Sequence, residues 1–201
     1  MKDYRIVRTQ GAPDWSMVEK LPVDICPWGG EYRPEVFAQA AFAEGEGFYI
    51  RMTCREADPR AVFTQPDDMV CRDSCLEFFF DPAPDTGVGY INIEANALGT
   101  SLIGLGCGRH DRRSVRSLGC EIPVVEAFRD GEYWGWQGFI SLQTVSQLYG
   151  KSEFAAGDIL RGNFYKCGDW TEVEHYIVWS PVTAPQPDYH RPECFGRLIM
   201  D

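Results

Sequence analysis

Phe48, Ile50, Met52 and Cys54 alternate with Tyr49, Arg51, Thr53 and Arg55. A period of two with one apolar and one polar face fits an extended strand and not a helix. Just before it lies Glu44-Gly45-Glu46-Gly47, and before that a second extended run, Val36–Ala43. Two such runs around a glycine-bearing turn predict a hairpin.

The same punctuation recurs along the chain. Strands are predicted at Ser74–Phe80, Tyr90–Asn96, Thr100–Leu105, Glu121–Ala127, Glu132–Gln137 and Phe139–Leu142. Further strands are predicted at Ile159–Lys166, Glu174–Trp179 and Phe195–Met200, with one short helix at Thr144–Tyr149. Asp130-Gly131 marks a tight hairpin turn, and Pro181, Pro185, Pro187 and Pro192 hold an extended loop before the last strand. Twenty glycines and 13 prolines supply these breaks. About ten short strands with minimal helix predict an all-β, two-sheet antiparallel β-sandwich of jelly-roll or immunoglobulin-like kind. No linker divides residues 1–201, so a single domain is expected.

Charge narrows the partners. Nineteen Lys and Arg stand against 30 Asp and Glu, a net charge of −11. Nucleic acid and anionic membrane surfaces both call for a positive field, so neither is expected. Asp3, Arg5 and Arg8 interrupt the start of the chain, and no apolar stretch approaches the roughly 18 residues of a membrane span. A cytoplasmic location is expected. The eight cysteines have irregular spacing and no CxxC, which predicts reduced, mostly buried thiols rather than disulfides or a zinc site.

The candidate site begins on Tyr90–Asn96. Ile91, Ile93 and Ala95 share one face, expected to be core, and Tyr90, Asn92, Glu94 and Asn96 share the other. Glu77 on the preceding strand and Arg51 and Arg55 on the hairpin are candidates to join that face. Sugar hydroxyls both donate and accept. Carboxylates accept from them, amides do both, and arginine donates in pairs, so an Asn/Glu/Asn ladder suits a sugar. The bland alternative is the solvent face of an ordinary sheet. A second cluster, Arg161, Asn163 and Tyr165, shares a strand face. A third, Arg109–Arg116, reads either as a solvated loop or as a basic rim for an anionic sugar.

VCRDSCLEFFFDP (70–82), YINIEANALG (90–99), RGNFYKCGD (161–169), HYIVWSPV (175–182) and PDYHRPECFGRL (187–198) together resemble family 9-like carbohydrate-binding modules of the wider DOMON-like group. The resemblance runs in order over about residues 30–200. It implies a β-sandwich, non-catalytic binding of a mono- or oligosaccharide chain end, structural calcium, and a glycoside hydrolase as partner. It implies a ligand-contacting acid at Glu77, polar contacts at Asn92 and Asn96, and a second aromatic wall near Asn163 and Trp179. Cys71 stands where the first stacking tryptophan of the family pattern falls. The candidate ligand-binding set is therefore Arg51, Arg72, Glu77, Asn92, Glu94, Asn96, Arg161, Asn163, Tyr165 and Trp179. Asp81–Asp85 and Asp67-Asp68 are the candidate calcium loops. Two alternatives stand beside this reading. One is a glycoside hydrolase, or its accessory subunit, using Glu77 and Glu94 as paired carboxylates. The other is a haem-binding DOMON-like domain drawing on His110, His175 and His190.

Overall fold

The structure is a computed structural model that describes residues 1–201. Its strands are β1 (Asp3–Thr9), β2 (Leu21–Pro22), β3 (Val36–Ala43), β4 (Gly47–Arg55), β5 (Cys75–Asp81), β6 (Tyr90–Asn96) and β7 (Ser101–Gly106). They continue as β8 (Arg113–Ser114), β9 (Val124–Asp130), β10 (Tyr133–Ser141), β11 (Ile159–Gly168), β12 (His175–Val178) and β13 (Gly196–Met200). The one α-helix, α1, spans Leu142–Tyr149.

The strands form one hydrogen-bonded path in the order β8-β7-β6-β5-β11-β13-β1-β3-β4-β10-β9, with β12 on β11 and β2 on β3. The path curls until its halves face each other. Phe48 of β4 meets Phe80 of β5 at 4.9 Å between ring centroids, and the Trp136 indole on β10 donates to the Leu76 carbonyl on β5 at 3.0 Å. The seam is β1. Its first half pairs with β13 and its second half with β3, both in parallel. These two parallel pairings depart from the antiparallel pairing expected throughout the sandwich. Tyr4 and Ile6 point into the core while Asp3 and Arg5 point out, so the alternation that makes β1 a strand is present in its sequence.

Other local choices follow simple rules. β3 and β4 pair from Val36–Cys54 to Ala43–Gly47, the register expected of the hairpin. Ser141 caps α1 by accepting from the Thr144 amide, and Gly150 ends the helix in the left-handed region. No helix is long and apolar enough to cross a membrane.

Ile91, Ile93 and Ala95 lie in the main core. The opposite face is not a solvent face. Tyr90, Asn92, Glu94 and Asn96 are all buried too. The segment between β12 and β13 folds over them. Val182, Tyr189 and Phe195 join Val70, Cys75, Phe79, Tyr90, Tyr165, Cys167 and Val178 in a second apolar cluster. A strand buried on both faces loses the exposed polar side that period-two reading assumes.

Candidate functional site

The pocket opens where this covering segment leaves a gap over β5, β6 and β11. Cross-strand register builds its floor: Glu77 pairs with Glu94 on β6 and with Tyr165 on β11. A cavity of about 350 Å³ lies above, and Glu77, Asn92, Glu94, Cys167 and Asp169 face it. Phe79, Tyr176 and Tyr189 give it aromatic walls, and Arg109, Asp188 and His190 lie at the covering side.

Each floor residue is held by neighbours. The Asn92 amide donates to Glu94 Oε1 at 2.7 Å, and its carbonyl accepts from Arg112. Arg112 also donates to the carbonyls of Tyr90, Gly104 and Gly106 at 2.7–3.0 Å, and its guanidinium lies 4.3 Å from the Tyr90 ring centre. Gly104 makes this approach possible. A Cβ there would sit 2.7 Å from Asn92 Oδ1 and 3.4 Å from Arg112 Nε. Cys167 Sγ donates to Glu77 Oε1 at 2.9 Å. Tyr189 stacks on Tyr165 at 4.1 Å, while the Tyr165 hydroxyl donates to the Tyr189 carbonyl. Tyr90 and His190 share a 2.8 Å hydrogen bond.

Burial dominates the electrostatics. It pushes Glu77 well above the usual carboxylate range, and the neighbouring Glu94 charge raises it further. Burial also pushes Glu94 up to about 7, opposed by the Asn92 hydrogen bond and the Arg112 charge. Burial raises Asp169 as well. A buried carboxylate pair whose proton affinity is raised can offer both a donor and acceptors in one place. A sugar hydroxyl asks for that combination.

The structure divides the sequence candidates. Glu77, Asn92 and Glu94 converge on the pocket. Tyr165 lies just beneath, behind Tyr189. Arg72 stands beside the rim, its guanidinium 4.2 Å from the Trp170 ring centre. The others are elsewhere. Asn96 binds its own turn, accepting from the Leu98 and Thr100 amides and donating to Asp73 and the Phe63 carbonyl. Asn163 ties β11 to the segment after β12 through the Ser180 amide and carbonyl. Trp179 is a core residue packed on Phe164, not an aromatic wall. Arg161 donates to the Phe195 carbonyl. Arg51 lies on the opposite half of the sheet, over the Phe128 ring.

The basic stretch is no free rim. Arg109 pairs with Asp188, Arg116 pairs with Asp67, and Arg112 is half-buried and bonded into the site. Arg112 is the pocket residue that sequence reading did not single out within this run. Tyr176 and Tyr189 were missed because nothing in their local pattern distinguishes a wall from a core ring. Cys71 faces the pocket, at the position noted for a stacking ring. The proposed calcium loops do not converge. Asp68 accepts from the Thr64 and Gln65 amides, Asp67 from Ser114 and the Ile103 amide, and Asp81 from the Ala83 amide. These donor sets do not fit a calcium cage, which asks for six to eight oxygens around one point.

The fold and the pocket define a curled β-sheet protein with a buried, acidic, aromatic-walled recess for a small hydrogen-bonding ligand. Residues 11–200 match the model of carbohydrate-binding family 9, and the chain belongs to that family. A proposed carbohydrate-binding protein from Bacteroides uniformis is similar over 100% of this chain and 99% of its own, with 28% identity and a TM-score of 0.83. A family 9 module from Caldicellulosiruptor kristjanssonii, solved with glucose, superposes with a TM-score of 0.68 at 12% identity, covering 100% of this chain and 96% of that one. The same kind of module solved with cellotriose gives 0.64 at 13% identity, covering 98% and 93%. At that identity the last two speak to the fold alone. No curated protein matches the chain.

Proposed function

We propose that the recess over Glu77 and Glu94 takes the end of a short saccharide and holds it without cleaving it. The observation that carries this reading is the pair itself: two buried carboxylates side by side on one floor, beneath Tyr176 and Tyr189. Glu77 and Glu94 exchange hydrogen bonds with sugar hydroxyls, and Asn92 and Arg112 hold Glu94 in place. Apolar patches of the sugar ring pack on the aromatic walls. A cavity of about 350 Å³ falls in the range of small-ligand sites. The sugars bound by the two Caldicellulosiruptor modules make glucose and cellotriose the first ligands to try. The surrounding architecture is read as a β-sandwich closed along β1.

The hydrolase alternative asks for carboxylates on either side of a glycosidic bond. Direct cross-strand neighbours on one floor favour holding over cutting. The haem alternative asks for a free axial imidazole. His175 and His190 are both engaged in internal hydrogen bonds, and His110 stands exposed on the loop between β7 and β8, which favours the saccharide.

Calorimetric titration with glucose, cellotriose and a uronic acid tests the proposal, with assay of reducing ends after long incubation. Saturable binding of a neutral sugar without new reducing ends is expected. Cleavage of cellotriose that disappears in Glu94→Gln would replace binding with hydrolysis.

A further inference from the structure

Two thiols at this floor have been given no ligand of their own: Cys75 lies behind it, and Cys167 faces the cavity. Cys75 on β5 and Cys167 on β11 are direct cross-strand partners, and Glu77 follows Cys75 by two residues on the same face. All three are buried. The two thiol sulfurs and one carboxylate oxygen lie within 4.8 Å of one another. Nowhere else in the chain do three Cys, His, Asp or Glu side chains converge in this way.

We propose that Cys75, Cys167 and Glu77 form a binding site for one thiophilic divalent cation of the zinc class, with the remaining coordination position open to the pocket. Tetrahedral zinc with metal–sulfur bonds of about 2.3 Å holds its ligand atoms about 3.8 Å apart. The present separations, all within 4.8 Å, are close to that spacing. Two thiolates and a carboxylate are a soft and borderline donor set, which disfavours calcium and magnesium. The site has a path for entry, since Cys167 and Glu77 border the cavity.

Charge supports the same assignment. Glu94 and Asp169 add carboxylates nearby, while the local arginines are engaged, Arg109 by Asp188 and Arg112 by Asn92 and three carbonyls. A cation is the counter-charge this floor lacks. On binding, the two thiols release two protons to solvent and the divalent cation replaces that charge, while a protonated Glu77 would release a third and leave the metal with its three ligands at a net charge of −1. Arg112 keeps the Asn92 amide aimed at Glu94, which leaves Glu77 to face the thiols. Glu77 is common to this cluster and to the proposed saccharide floor, so the two sites share one carboxylate.

Cadmium tests the site without any sugar. The reduced full chain, stripped with chelator, is titrated with Cd²⁺ while the ultraviolet cadmium–thiolate band is followed. One equivalent is expected to saturate the band in the wild type and in Cys107→Ser, an exposed thiol far from the cluster. Cys167→Ser should abolish the band, and Glu77→Gln should weaken binding at least tenfold. Because Cys167 is buried, its variant is backed by X-ray absorption on the zinc-loaded wild type. Two sulfur ligands at about 2.3 Å are expected. Absence of the band, its survival in Cys167→Ser, or a sulfur count other than two would overturn the assignment. Sugar titration of the metal-free wild type is scored separately, so failure of either site is visible by itself.

Discussion

Glu77 and Glu94 are direct cross-strand partners on β5 and β6, and both carboxyls are buried on the same face. Like charges so placed repel unless a proton, a cation or a ligand lies between them. The sequence around them spends nearby groups on holding this pair rather than neutralising it. Asn92 is fully committed to Glu94 and Arg112, and Cys167 to Glu77. On the proposed reading, this constrained pair of acids exchanges hydrogen bonds with the sugar that enters.

Glu94→Gln keeps the shape of the floor and removes an acceptor. Calorimetry should show sugar affinity falling about tenfold to a hundredfold, the effect of losing hydrogen bonds worth about 1–3 kcal/mol. Asn92→Ala, which releases both Glu94 and Arg112, should weaken binding by a similar factor. Thermal unfolding should separate the two variants. Glu94→Gln should be no less stable than the wild type, since an amide is cheaper to bury than a carboxylate. Asn92→Ala should be clearly less stable, because it leaves the Arg112 guanidinium short of a partner.

Asn163→Ala tests the opposite kind of role. Asn163 is buried and bonded to both the amide and the carbonyl of Ser180. Chemical denaturation should show a loss of about 1–3 kcal/mol, with sugar affinity within about twofold once the variant is folded. Ile93→Ala should cost about 2–5 kcal/mol, because Ile93 fills the main core between the sheet halves. A selective loss of affinity in Asn163→Ala, with stability unchanged, would return Asn163 to the ligand-binding set.

The buried His175 makes stability fall on acidification. Its Nδ1 faces the Val173 carbonyl at 2.7 Å and therefore carries the hydrogen, leaving Nε2 to accept from Lys166 Nζ at 2.6 Å. A second proton would meet a cation. Burial first, then the Lys166 charge, lower this imidazole to about 4. The unfolded chain takes up its proton near pH 6.5 and the folded chain only near 4. The stability His175 contributes is thus complete above pH 6.5 and is lost as pH falls from 6.5 towards 4. Denaturant melts at pH 7 and pH 4.5 should show a smaller drop for His175→Gln than for the wild type. An equal drop in both would mean that His175 does not govern this window.

Much of the sheet was legible because its signals are local. The alternation in Phe48–Arg55 and Tyr90–Asn96 fixes which side chains share a face, and the glycine-rich turn sets the hairpin register. Asn92 and Glu94 could therefore be placed on one surface before any fold was known, with Glu77 a candidate to join them. Asn96 shares that surface too, yet it is drawn into its own turn, and period two does not distinguish a floor from a cap. What covers the surface was not legible. Tyr189 and His190 come from a proline-rich segment about a hundred residues away, and their packing on Tyr165 and Tyr90 has no local sequence mark. Arg112 was hidden for a related reason. Within a run of arginines, nothing marks the one whose hydrogen bonds draw it into the pocket. The parallel joins of β1 depend on both chain ends meeting, which no short window of sequence reports.

The central claim is that the sugar enters the recess over Glu77 and Glu94. Amide NMR spectra of the wild type, recorded during titration with cellotriose, test it most directly. The largest shift changes are expected at Glu77, Glu94, Cys167, Tyr176 and Tyr189, with Gln39, Arg51 and Tyr133 on the far half of the sheet unmoved. Saturable changes confined to Gln39, Arg51 and Tyr133, with the recess silent, would contradict it.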